Sequence, residues 1–160
     1  MSALRAATSC FVTTLCGHSP LTHSMAGLSA LRSQYNAIAG SLGAPAKYRA
    51  FHTSPANDGS VHLELVGNTY HYVVTERGVE LRRRSTDDPE DVLYWLVADL
   101  AWAMAADYEV THRKRGEDFR RLLFATQLDI LRRVKLEWAK RRQDEQEEIL
   151  RNHPFVDSSP

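Results

Sequence analysis

The stretch from Pro89 to Asp107 constrains the fold more than any other part of the chain. Between Asp91 and Asp107 its only charged residue is Asp99. A helix that is apolar on nearly every side belongs inside a protein, and this one is too short and too interrupted to span a bilayer, which needs about 20 apolar residues. Asp88 can cap the first free N–H groups, and Pro89 suits the first helical position. The sequence therefore predicts a central helix against which the other elements pack.

Overall composition sets few limits on function. The 160 residues suffice for one domain with a core, and the formal net charge is zero. The overall charge gives no attraction to nucleic acid or to an anionic membrane, so neither partner is expected. Both cysteines, Cys10 and Cys16, lie near the N-terminus, and no second pair completes a zinc-binding spacing. A reducing compartment is the simpler interpretation.

Residues 1–24 differ in composition from the rest of the chain. They are rich in small and hydroxylated residues, lack Asp and Glu, and contain Arg5 as their only arginine. The apolar run is short for a secretory signal, and the arginine content is low for a transit peptide. We therefore expect a loose tail, or a start codon placed before a true beginning at Met25. Residues 25–157 are predicted to form one domain, with a tail at 158–160.

The region before the central helix predicts one helix and three strands. Apolar residues at helical spacing predict a helix over 27–42, and prolines with an Asn-Asp-Gly run predict a loop over 44–60. Alternating segments predict strands over 61–65 and 69–75 and a third strand from Val79. A two-residue hairpin at Gly67-Asn68 would pair Leu65 with Tyr70 and Leu63 with Tyr72.

The same register assigns the strand residues to two faces. The inward face is expected to cover the central helix and holds Val61, Leu63, Leu65, Tyr70, Tyr72, Val74, Val79 and Leu81. The outward face is expected to see water or a partner and holds His62, Glu64, His71, Thr75, Glu80, Arg82 and Arg84, with Val66 and Val73 as apolar exceptions.

Two more helices are predicted after the central one. A wide apolar face begins near Glu117, a break falls near Lys135-Leu136, and a charged helix anchored by Trp138 covers 137–151. The fold class is therefore α+β: an N-terminal helix, a three-stranded antiparallel meander, a long buried central helix and two C-terminal helices.

Two groups of residues have the composition of metal ligands. Glu109 and His112 form a Glu-x-x-His pair, but a di-iron bundle site needs two such pairs. These residues and Arg113 are more simply explained by a polar network with Asp118 and Arg121 at a helix junction. His62, Glu64 and His71 could hold zinc, although a solvated strand face has the same pattern. A metal-dependent enzyme is therefore one alternative function.

Clustered arginines suggest a second alternative, a regulator that binds nucleic acid. The clusters are Arg82–Arg84, Arg113–Arg115, Arg120-Arg121, Arg132-Arg133 and Lys140–Arg142. Most lie near acidic residues, and no recognition-helix or aromatic-platform pattern accompanies them, so solvated faces are favoured. Neither a nucleophile elbow nor a phosphate-binding glycine loop is present in the sequence.

A set of motifs spread over the chain carries a family resemblance. The run Gly67 to Glu80 joins Tyr-His-Tyr to Glu-Arg-Gly, and it is accompanied by Leu93-Tyr-Trp95, Asp107-Tyr-Glu109, His112-Arg113, Asp118-Phe-Arg-Arg121, Phe124, Gln127, Trp138 and His153-Pro-Phe155. Over roughly Leu28 to Asp157 the chain resembles the immunity protein 63 family of bacterial polymorphic toxin systems. The resemblance implies a cytoplasmic protein that protects its producer by binding a co-encoded toxin. It implies no cofactor and no catalysis.

A partner-binding surface follows as a physical expectation. Strand faces and helix ends hold side chains rigidly, and mixed charges favour fast and selective encounter. The residues expected to contact the toxin are His62, Glu64, His71, Arg82, Glu109 and Arg113.

Overall fold

Four helices and one three-stranded antiparallel sheet make up the described part of the chain. The computed structural model describes the backbone of residues 20–157 and the side chains of residues 27–157. The order of elements confirms the predicted α+β fold. The elements are α1 (Pro20–Ser41), a 3-10 turn (Ala46–Tyr48), β1 (Asp58–Val66), β2 (Thr69–Glu76), β3 (Val79–Thr86), α2 (Pro89–His112), α3 (Phe119–Arg132) and α4 (Leu136–Asn152). The predictions for residues 1–19 and 158–160 lie outside the described residues.

The central helix is α2, which begins as predicted and runs past the predicted end. The Asp88 side chain accepts a hydrogen bond from the Glu90 N–H group, and Pro89 occupies the first turn. Val92, Val97, Ala101 and Ala105 are fully buried, so this helix forms much of the core; all buried apolar residues of α2 are Val92, Leu93, Tyr94, Leu96, Val97, Ala98, Leu100, Ala101 and Ala105. One side nevertheless reaches solvent, because Asp99 and Trp102 are exposed. That side borders the sheet edge described below.

Helix α1 begins at Pro20, earlier than the predicted residue 27. It packs on the core through Leu31, Tyr35 and Ala39, which recur at helical spacing and are buried. The helix ends where Gly43 takes a φ of +67°. The Gly43 and Ala44 N–H groups then bond the carbonyls of residues 40 and 39, which is the Schellman arrangement that glycine favours.

The sheet has the strand order β1-β2-β3, and its first hairpin matches the predicted register. Leu63 pairs with Tyr72 and Leu65 with Tyr70, as expected from a two-residue turn. Gly67 supplies the positive φ, +61°, that this turn requires. Leu63 and Tyr72 are both buried and face α2, where the Tyr72 ring meets Trp95 edge-on at 5.8 Å.

The predicted faces of β3 are wrong beyond Glu80 because of a bulge. Thr75 pairs with Glu80, but Val74 pairs with Arg82, so Leu81 is an extra residue in β3. One extra residue exchanges the two faces of everything beyond it. Arg82 and Arg84 therefore lie on the inward side, opposite Val74 and Tyr72. Leu81, which is predicted to face inward, is 58% exposed. Val79 lies before the bulge and pairs with Glu76, but it is 60% exposed at the start of the strand.

The outward face of the sheet is less open than the sequence predicts. His62, Val73 and Thr75 were assigned to a solvated face, yet all three are buried. The segment before β1 runs beside that strand and forms a parallel β-bridge between the backbones of His52 and His62. The His52 carbonyl accepts a hydrogen bond of 2.9 Å from the Leu63 N–H group. The free edge of β1 is covered in this way.

Helices α3 and α4 meet at the predicted break, and Trp138 is buried as predicted. Two buried glutamines link these helices to α2. Gln127 donates to the Ala98 carbonyl at 3.0 Å, and Gln146 donates to the Gln127 side chain at 3.0 Å. Their polar atoms are thus paired within the core. Among residues 20–157, no helix combines the length and apolar character needed to cross a membrane.

Candidate protein-binding surface

Charged residues on the outward side of the sheet form a paired group that we call the outer-face cluster: His62, Glu64, Glu80 and Arg83. The Arg83 guanidinium donates to Glu64 at 2.8 Å and to Glu80 at 2.7 Å. The His62 ring lies 3.2 Å from the second Glu64 oxygen. Arg83, followed by His62, lowers the pKa of Glu64 below its usual range. The charges of this cluster are therefore largely satisfied inside the protein.

Two of the predicted site residues lie in this cluster, and a third lies beside it. His62 and Glu64 are members, and Glu64 is opposite His71 as the predicted register requires. The His71 ring contacts the Ser85 hydroxyl at 2.7 Å. His62 is 1% exposed, and its Nδ1 atom lacks a hydrogen-bond partner among the described residues. It can position Glu64, but its burial keeps it from direct contact with a partner.

Arg82, the fourth predicted residue, lies on the other side of the sheet. The outward position belongs to Arg83, which is not among the predicted site residues. The reason is the bulge at Leu81, for which the sequence has no local signal: no glycine stands at that position.

Glu109 and Arg113 form a separate pair at the end of α2. Arg113 donates to both carboxylate oxygens of Glu109, at 2.7 and 2.8 Å, and lowers the pKa of that carboxyl group. Glu109 is buried, whereas the Arg113 side chain is 58% exposed. A guanidinium fixed by two parallel hydrogen bonds is a rigid charge at the surface.

The predicted network around this pair is wrong. Asp118 caps α3 and binds Arg120 at 2.6 Å, and Arg121 binds Asp157 at 2.8 Å. No sequence motif predicts that the C-terminal segment returns to α3 and supplies the Asp157 carboxylate. His112 stacks on Tyr108 with ring centroids 3.9 Å apart.

The possible metal ligands do not come together. His62 contacts Glu64 while His71 contacts Ser85, and Glu109 is held by Arg113. Within residues 27–157, no three His, Cys, Asp or Glu side chains are grouped closely enough to hold a metal ion.

An open cleft of about 220 Å³ lies between β3 and α2, and we call it the β3–α2 cleft. Arg82 and Arg84 stand on its β3 side. Its full lining is Arg82, Arg84, Tyr94, Trp95, Ala98, Asp99, Trp102, Arg142 and Glu145. The sequence pattern does not predict this cleft, although Asp99 is a usable signal because it is the lone charge in an otherwise apolar stretch.

The two arginines on the β3 side of the cleft, Arg82 and Arg84, have no carboxylate partner among the described residues. The Arg84 guanidinium lies 5.6 Å from the centre of the Trp95 ring. The acids of the opposite wall are already engaged: Asp99 accepts a hydrogen bond from Tyr72, and Glu145 accepts from Tyr94 at 2.9 Å and from Arg142 at 2.7 Å. Burial, then the nearby Asp99 charge, raises the pKa of Tyr72, so its hydroxyl stays a donor.

Unpaired arginines beside partly exposed tryptophans have the composition of a protein-binding surface. Trp and Arg are among the residues that contribute most to binding energy at interfaces. Trp102 is 38% exposed, and Arg82 and Arg84 are both exposed. The fold is therefore a scaffold that presents fixed charges and aromatic rings at the β3–α2 cleft.

Comparison with known families identifies the chain. A sequence model of the Immunity protein 63 family matches residues 67–148, slightly more than half of the chain. The chain therefore belongs to the Immunity protein 63 family, as its motifs indicated, and membership implies an immunity protein whose partner is a protein toxin. The matched residues include every residue that lines the β3–α2 cleft, whereas His62 and Glu64 precede them. Neither the curated proteins nor the solved structures contain a match to this chain.

Proposed function

We propose that this chain binds a cognate bacterial toxin domain and neutralises it by stoichiometric occlusion. The observation that carries the proposal is the family match over residues 67–148. The chain would act in the cytoplasm of the cell that produces the toxin, as part of a polymorphic toxin system, and would need no cofactor. Protection would come from binding alone, without a reaction of its own.

The surface that we propose for toxin binding is centred on β3. From the outward side, Glu64 and His71 would contact the partner, with His62 and Arg83 holding Glu64 in place. Arg82 would contact the partner from the cleft side of the sheet. The exposure of β3 supports this choice, since Val79 to Ser85 are all exposed while the other edge of the sheet is covered. The rigid Glu109–Arg113 pair would add a contact at the end of α2.

The test is co-expression with the toxin domain encoded by the neighbouring reading frame. Cells that produce both proteins should grow, cells that produce the toxin domain alone should not, and the purified pair should form a complex with a fixed ratio by light scattering. Growth arrest despite full expression of this chain, or the absence of a complex, would contradict the proposal.

A double charge reversal tests the surface without changing the net charge. The E64K/R82E variant alters one residue on each side of the sheet and should weaken protection, because each reversal places a like charge where an opposite charge is expected. The matched control is R133E/D144K, since Arg133 and Asp144 are exposed and have no ion-pair partner among the described residues. Equal protection by both variants would discard this surface.

A further inference from the structure

The two edges of the sheet differ in whether another segment of the chain lies beside them. The β1 edge is covered by the segment that contains His52, through a backbone hydrogen bond to Leu63. The sheet ends at β3, where no further strand of the described chain pairs with it. An unpaired edge presents a row of backbone N–H and C=O groups that another extended chain can bind. The β3 edge is thus available for an added strand.

The bulge places two guanidiniums on the same side of that edge. Arg82 and Arg84 are two residues apart, so they project to the same face at a spacing of about 7 Å along the strand. An added strand has the same two-residue repeat. Acidic side chains at alternate positions of such a strand would therefore meet both arginines in register.

The surroundings of the cleft select a carboxylate over a polyanion. Glu64 and Glu80 lie across the sheet from the arginines, and Asp99 and Glu145 form the opposite wall of the cleft. A continuous nucleic-acid backbone on β3 would be repelled by these acids. Individual carboxylates on a strand would reach only the arginine side, where the fork of donors on each guanidinium suits them.

Self-pairing is disfavoured by the same residues. Arg82 to Arg84 lie in the middle of β3, so two copies joined edge to edge about a two-fold axis would place arginines opposite arginines. Like charges directly opposite each other destabilise a pair of strands. The arginines therefore protect the edge from a second copy while leaving it attractive to an acidic partner.

We propose that the toxin docks as an extended acidic segment, adding a strand to the free edge of β3 with carboxylates at alternate positions bound by Arg82 and Arg84. This inference rests on the proposed function for the identity of the partner. The Trp95 ring would hold the Arg84 guanidinium in place, and Trp102 would border the bound side chains.

A titration with a defined peptide tests the edge directly. The probe is a ten-residue peptide with glutamate at every second position, separated by threonine and valine, added to the ¹⁵N-labelled full chain. Amide signals of residues 79–86 and the indole N–H signals of Trp95 and Trp102 should shift. A peptide with lysine in place of glutamate should leave them unchanged.

Charge variants with matched net charge complete the test. The R82E/R84E variant should bind the glutamate peptide at least tenfold more weakly, because two attractive pairs become repulsive. The R133E/K140E variant changes the net charge equally at exposed positions away from the cleft and should bind within twofold of the wild type. The milder R82Q/R84Q variant should show a smaller loss in the same direction.

Four results would overturn the inference. These are the absence of shifts in β3, equal binding by R82E/R84E and R133E/K140E, similar shifts with a ten-nucleotide oligothymidine, and concentration-dependent shifts of β3 without peptide. The last two would assign the edge to nucleic acid or to a second copy. The toxin complex separates the two proposals. Equal toxin binding by the wild type and R82E/R84E removes strand addition but leaves neutralisation. Peptide binding without toxin binding removes neutralisation and the toxin as the partner, and it leaves the β3 edge as a site for an acidic strand.

Discussion

Neighbouring residues of β3 use the same side chain in opposite ways. On the outward side, Arg83 is paired with Glu64 and Glu80, so its charge is neutralised within the outer-face cluster. On the inward side, Arg82 and Arg84 open into the β3–α2 cleft without a carboxylate partner among the described residues. Under the proposed function, Arg83 supports the sheet whereas the other two bind the toxin. Pairing state, rather than charge, distinguishes a structural arginine from one available for binding.

Arg82 and Arg84 can be held ready for a partner only if the β3–α2 cleft is rigid, and Tyr72 supports that cleft. Its buried ring packs against Trp95, and its hydroxyl donates to Asp99 on α2. Replacing Tyr72 with Ala should lower the free energy of unfolding by about 3–5 kcal/mol, because a large aromatic side chain leaves a cavity. Replacing it with Phe should cost about 1 kcal/mol, since only the hydrogen bond is lost. Urea denaturation measures both, and a loss below about 1 kcal/mol for the Ala variant would mean that the sheet is not anchored there.

Single alanine substitutions in β3 should separate the two kinds of arginine. Arg83→Ala breaks two ion pairs and should lower the free energy of unfolding by up to about 1 kcal/mol, the scale of exposed pairs. Arg82→Ala removes no pair and should change it by less than about 0.5 kcal/mol. The order should reverse for toxin affinity, which Arg82→Ala should weaken more. If the same variant had the larger effect in both denaturation and binding titrations, the distinction between a structural Arg83 and a partner-binding Arg82 would be wrong.

Lowering the pH should reduce the stability contributed by the outer-face cluster more than the stability contributed by the cleft. The pKa values of Glu64 and Glu80 are lowered in the folded state, chiefly by hydrogen bonds from Arg83. Their stabilising contribution is therefore complete above the unfolded pKa of about 4.3 and is lost as the pH falls through the lower folded values. The difference in melting temperature between wild type and Arg83→Ala should shrink from pH 7 to pH 3.5. For Arg82→Ala the difference should stay constant, and equal behaviour of both variants would contradict the assignment.

Much of the fold could be predicted because its signals are local. The apolar run of α2, its Asp88-Pro89 start and the Gly67-Asn68 turn each fix an element by short-range rules, and the first hairpin has the predicted register. These signals act within a few residues, so a single sequence contains them in full.

The candidate surface was predicted only in part because it depends on longer-range packing. The bulge at Leu81 places Arg82 and Arg84 on the inward side, and the alternation of residues along the strand does not reveal an inserted residue. His62 is buried where the segment preceding β1 runs beside that strand, which alternation within the strand cannot show. The pairing of Arg121 with Asp157 depends likewise on the path of the C-terminal segment.

Hydrogen exchange of the toxin complex tests the central claim most directly, since it reads the backbone of β3 itself. Amides of residues 79–86 should exchange more slowly in the complex than in the free chain, because an added strand would bond the groups that now face solvent at this edge. Amides of α3, none of whose residues lines the β3–α2 cleft, should change little. Protection of α3 with unchanged exchange across β3 would contradict the account.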